Sequence, residues 1–141
     1  MRKQQALAKS KADSTSPFNS GENMVIFSAV LDEIYNHDWD IFPVLHIADV
    51  CENLSYDNLN TTVVAALFYA ASLDLISLRY KFVEGRHVKY LPPEYAGNLG
   101  IVSPSLHPIT ATPLSDEELP AVLDKIQIEF YPGNHLEYNR V

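Results

Sequence analysis

The chain has 141 residues, of which 47% are hydrophobic and 20% charged, a length within the usual single-domain range of about 100–200 residues. That composition excludes collagen-like and wholly disordered chains. A net charge of −8 argues against any function resting on broad attraction to nucleic acid or to an anionic membrane.

Residues 1–22 read as a flexible basic tail, because within residues 1–20 Arg2, Lys3, Lys9 and Lys11 face only Asp13 and the stretch ends rich in Ser, Pro, Asn and Gly. Residues 23–93 carry the predicted domain. Asn23 is placed to cap a helix reaching Asn36, where Ile26, Val30 and Ile34 recur at four-residue steps beside Phe27 and Leu31 to form one apolar stripe. His37, Asp38, Trp39 and Asp40 make an acidic break. Pro43 suits the first turn of a second helix, with Val44, Ile47, Ala48, Cys51 and Leu54 on its apolar face. Asn60 or Thr61 is expected to cap a third helix running through Leu73. Its Val63, Val64, Ala66, Leu67, Phe68, Ala70 and Ala71 leave almost no polar side. Residues 21–60 hold eight acidic side chains and no Lys or Arg, a block that repels phosphate.

From Ile76 the period changes. Leu78, Tyr80 and Phe82 alternate with Ser77, Arg79 and Lys81, as in a half-buried strand. Glu84-Gly85 predicts a tight turn, and residues 86–91 a return strand that Pro92-Pro93 closes. Residues 94–141 read as an irregular C-terminal extension with one short helix or strand. Ser115 followed by Glu118 resembles a capping box, and Pro120 should kink or restart the helix after it. Leu119, Val122, Leu123 and Ile126 would make a helical stripe, whereas Ile126, Ile128 and Phe130 would alternate as a strand, so both readings of residues 121–130 stay open.

The predicted fold is therefore mainly α with a small β-hairpin. The succession Pro43–Leu54, Thr61–Leu73 and Ser77–Leu91 resembles a winged helix-turn-helix domain, three helices plus a wing, with a C-terminal extension. In that family a recognition helix enters the major groove while the wing touches the DNA backbone. The present chain departs from the pattern twice. The interval between its second and third helices is longer than the usual turn of ~3–4 residues, and its third helix offers no Arg or Lys. Thr62–Leu73, ending in Leu73-Asp74-Leu75-Ile76 and followed by the hairpin, is also similar to the small winged-helix subunits of condensin-like complexes. It is similar as well to the middle subunits of bacterial antiviral three-component systems built around an ATPase of the structural-maintenance-of-chromosomes type. That resemblance implies a non-catalytic adaptor with a larger protein partner, the ATPase among the candidates.

For catalysis the residues offer little. No two of the five histidines stand at the i, i+4 spacing that lets one helix face hold a metal, so no metal or other cofactor is expected. His37, Asp38 and Asp40 read as a solvated interhelical loop and His46 as a core histidine. Cys51 falls in register with Val44, Ile47 and Leu54 and reads as a small buried hydrophobe. There is no nucleophile elbow and no phosphate-cradling glycine loop. A single cysteine and the lack of an apolar leader or spanning segment predict a cytoplasmic, membrane-free protein.

Two binding functions compete, with an enzyme of unrecognised site a distant third. DNA could meet Arg79, Lys81, Arg86, His87 and Lys89 on the hairpin, four of which would give a salt slope of about −3.6. Base readout, however, needs Arg, Lys, Asn or Gln, and Thr62–Leu73 has only Thr62, Tyr69 and Ser72 as polar groups. A protein partner could instead cover the apolar third helix and nearby aromatic residues, making Trp39, Tyr56, Val64, Phe68 and Tyr69 the candidate interface. The adaptor reading is the preferred expectation and the DNA-binding regulator its alternative.

Overall fold

The computed structural model describes residues 1–57, 60–91 and 115–137. Within them, five helices and a four-stranded sheet form two units, Met1–Leu78 with the described residues from Phe130 on, and Arg79–Glu129. The fold is mixed α/β, so the expectation of a mainly α chain with a small hairpin fits only in part: the hairpin is present, and further strands join it.

In the first unit, helix α2 (Gly21–Asn36) buries Phe27, Val30, Leu31 and Ile34, the stripe that four-residue periodicity predicts. It begins two residues before the expected cap at Asn23, whose side-chain amide instead donates to Pro17 O at 3.1 Å. Helix α4 (Thr61–Ser72) starts as expected: Asn60 Oδ1 accepts from the amides of Thr62 and Val63 at 3.1 and 3.2 Å, satisfying two otherwise orphaned donors. Its Val63, Ala66, Leu67 and Ala70 pack inward.

Two expectations fail here for identifiable reasons. Residues 1–22 are not simply a tail, because α1 (Lys3–Ala12) runs through them. Ala, Gln and Lys favour helix, and the buried Ala6 and Ser10 form a small face at i, i+4 spacing. Ser10 Oγ donates to Phe18 O at 2.8 Å, and Phe18 packs on Phe27 with centroids 5.3 Å apart. The second predicted helix also begins later than Pro43. Leu45–His46 form β1, and α3 spans only Ile47–Asn53, with Leu45 drawn into the core. Helix α3 ends where Ser55 adopts φ 61° and the Tyr56 amide reaches Cys51 O at 2.8 Å.

β2 (Ile76–Glu84) and β3 (His87–Tyr90) form the expected hairpin, antiparallel and linked through Gly85 at φ 58°, a conformation glycine adopts without strain. The sheet order is β1-β4-β2-β3, with β4 at Ile126–Pro132, so two strands extend the sheet beyond the predicted pair. The C-terminal ambiguity resolves into both elements in succession. A short helix, α5 (Leu119–Leu123), carries Pro120 in its first turn, and β4 follows. The Ser115/Glu118 box forms, with Ser115 Oγ donating to Glu118 Oε1 at 2.9 Å and the Glu118 amide donating to Ser115 Oγ at 3.3 Å. In the second unit Phe82, Leu91 and Val122 form a small core flanked by Tyr80 and Ile126. The predicted irregular stretch from residue 94 falls, through residue 114, outside the described residues, as do Pro92 and Pro93.

Candidate functional site

The basic residues of the hairpin do not gather on one surface. Directly opposed residues of an antiparallel pair share a face. The register Lys81↔Tyr90, Phe82↔Lys89 and Glu84↔His87 therefore sets Lys81 with Tyr90, and Lys89 with His87 on the reverse side. Lys81 Nζ lies 2.7 Å from Glu129 Oε1, a side chain only 5% exposed. This bond to Glu129 raises the Lys81 pKa above its ordinary value, with burial opposing the shift. The Arg79 guanidinium stands 5.5 Å from the Tyr90 ring centroid, within cation–π range. Arg86, His87 and Lys89 are exposed. The five predicted DNA contacts thus divide between two faces and a turn, and Lys81 belongs to a buried ion pair.

The predicted protein interface divides as well. Trp39 is a core residue, 3% exposed, its indole N–H donating to Ile34 O at 2.9 Å. Tyr69 turns inward, packing edge-on against Phe27 at 5.3 Å with its hydroxyl donating to Asp13 Oδ2 at 3.3 Å. Hydrogen bonds from the Thr15 hydroxyl and amide hold that Asp13 carboxyl below the usual range. Val64 is half-buried, while Phe68 at 37% and Tyr56 at 39% stay exposed. The outward positions of α4 are Thr61, Ala65, Phe68 and Ser72, an uncharged stripe at helical spacing.

A further surface escaped the sequence reading. Between α2 and α3 the chain forms a cleft of about 640 Å³, bordered by Ile41 and Phe42, which are 68% and 61% exposed. Its loop is held by its own bonds: His37 Nε2 lies 2.7 Å from Phe42 O, the Phe42 amide donates to Asp38 O at 2.8 Å, and the Ile41 amide to Asp38 Oδ1 at 3.3 Å. The signal was present in the sequence as two large apolar residues between Asp40 and Pro43, a pair with no helical or strand period to explain it. His46, expected in the core, is exposed on the same cleft. Cys51 is buried, as its register predicts. Among the described residues no three His, Cys, Asp or Glu side chains gather to hold a metal ion, and no helix is long and apolar enough to cross a membrane.

No family model matches the chain, and no curated protein or solved structure matches it either.

Proposed function

We propose that the chain is a non-catalytic adaptor of winged-helix type, an accessory subunit that binds another protein. The observation that carries this reading is the outer stripe of α4: Thr61, Ala65, Phe68 and Ser72 include no side chain that could reach a base edge with a bidentate pair. The order α2, α3, α4, then the β2–β3 hairpin, agrees with the winged-helix succession. The fourfold basic surface that a DNA-binding wing needs is divided by the strand register. An uncharged, part-apolar helix face suits coverage by polypeptide. A larger subunit, with an ATPase among the candidates, is the partner such a module would serve.

The alternative regulator function rests on Arg86, His87 and Lys89, which stay exposed at the hairpin tip. A salt titration with a fluorescent DNA duplex separates the two. The adaptor reading expects no saturable binding at micromolar protein in low salt. Micromolar binding that weakens with a log–log slope of about −2 or steeper, and that disappears when Arg86 and Lys89 are changed to Ser, would establish the regulator instead.

A further inference from the structure

We propose that the cleft beside Ile41 and Phe42 receives a short cationic segment of a partner protein, one that inserts an apolar side chain between flanking Lys or Arg residues. This deepens the adaptor reading and rests on it, while placing the contact away from α4.

The apolar element comes first. Ile41 and Phe42 are 68% and 61% exposed, on a loop whose backbone is fixed by the His37–Phe42, Asp38–Phe42 and Asp38–Ile41 contacts. Trp39, sunk in the core two residues earlier, anchors the same loop to α2 through Ile34 O. A side chain of this size held in water by a preorganised backbone loses little conformational freedom on binding, and large exposed apolar neighbours mark interaction sites. A cleft of about 640 Å³ is within the usual range of about 300–1,000 Å³ for ligand sites, and it accommodates one or two side chains.

Charge then selects the occupant. Glu33, Asp38 and Asp49 line the cleft, and none of them is in an ion pair among the described residues. Glu33 accepts from Asn53 Nδ2 at 2.9 Å, which orients its carboxylate without neutralising it. Among the described residues no Lys or Arg lines the cleft, and the sequence from residue 21 to 60 contains neither. An acidic rim around an apolar patch rejects nucleic acid and anionic lipid, favours Lys and Arg on the incoming chain, and speeds their encounter at low salt.

The probe is a random twelve-residue peptide library displayed on phage and selected on the full chain. The expected result is enrichment of peptides that combine Lys or Arg with a large apolar residue. A representative synthetic peptide should perturb the backbone amide resonances of residues 38–49, and should lose at least about tenfold in affinity with Phe42→Ser and with the pair Asp38→Lys and Asp49→Lys. Asp116→Lys, a charge change outside the cleft lining, should leave affinity within about twofold. Enrichment of acidic or uncharged peptides, binding that perturbs other residues, or no enrichment at all would overturn the proposal. Self-association of the chain alone, abolished by Arg86→Glu with Lys89→Glu, would overturn it in favour of a second copy. The fold of each variant is checked by its circular dichroism and by Trp39 emission. Failure here leaves the adaptor reading standing on α4, whereas saturable DNA binding through the hairpin removes that reading and, with it, the partner this proposal rests on.

Discussion

Lys81→Met separates a structural cation from a phosphate contact. In the folded protein its Nζ is 2.7 Å from Glu129 Oε1, and the two side chains are 22% and 5% exposed. Removing the ammonium leaves a carboxylate in a site that excludes most water, and breaking one side of a buried pair costs about 3–5 kcal/mol. Because the lysine retains some access to solvent, the expected loss is at the lower end, about 3 kcal/mol. With a denaturant slope of about 2 kcal/mol/M, the urea midpoint should fall by about 1.5 M. Replacing both residues, Lys81→Met with Glu129→Leu, should restore stability to within about 1 kcal/mol of the native chain. Urea unfolding at pH 7 followed by far-ultraviolet circular dichroism gives both quantities. A loss below about 0.5 kcal/mol for Lys81→Met, or a double variant as unstable as the single one, would refute the buried-pair argument and return Lys81 to the list of exposed cations.

Other outcomes follow from the same packing. Leu67→Ala, on the buried side of α4, should cost about 2–5 kcal/mol, whereas Phe68→Gln on the outer stripe should cost about 1 kcal/mol or less; equal losses in thermal denaturation would mean that both sides of the helix are covered within the chain. Gly133→Ala should destabilise by about 1–3 kcal/mol, since a Cβ there would lie 2.3 Å from Asp74 O while the Gly133 amide is bonded to Leu75 O at 2.9 Å; an unchanged melting temperature would contradict that close approach. Burial, assisted by Glu137, pushes the Tyr35 phenol up to about 12. Its folded pKa lies above the unfolded value, so its contribution is intact below about pH 10 and is lost as pH rises through about 12. Ultraviolet titration should show one tyrosine ionising late, and Tyr35→Phe should remove that step and flatten the alkaline loss of stability. Trp39 is the single tryptophan and is 3% exposed, so its emission should be blue-shifted and move to the red on unfolding; solvent-like emission from the native chain would contradict the anchored loop.

Elements built on large apolar residues at regular spacing were legible in the sequence. Helix α2 announced itself through Val30 and Ile34, α4 through Asn60 and its apolar run, and the hairpin through alternation closed by Gly85. Elements held by other means were not. The inner face of α1 is Ala6 and Ser10, too small to register as hydrophobic period, and its order depends on Ser10 bonding to Phe18 O. β1 is two residues long and exists because Leu45 is buried and the strand has a sheet neighbour distant in sequence. Local propensity carries no such information. Of the candidate site residues, Phe68 and Tyr56 are exposed as an interface requires, while Trp39 and Tyr69 found hydrogen-bond partners inside, the ordinary fate of a buried aromatic residue with a polar handle. The hairpin cations were legible as residues, but their division between two faces depends on strand register, and the pairing of Lys81 depends on Glu129, forty-eight positions away in sequence.

The claim that polypeptide, and not nucleic acid, covers the outer face of α4 is tested most directly by a photo-reactive benzoylphenylalanine placed at position 68 and irradiated in the native cell. The account expects a covalent adduct of defined added mass that protease removes and nuclease leaves intact. An adduct that nuclease digests, or a side chain that cross-links to no other protein, would contradict it.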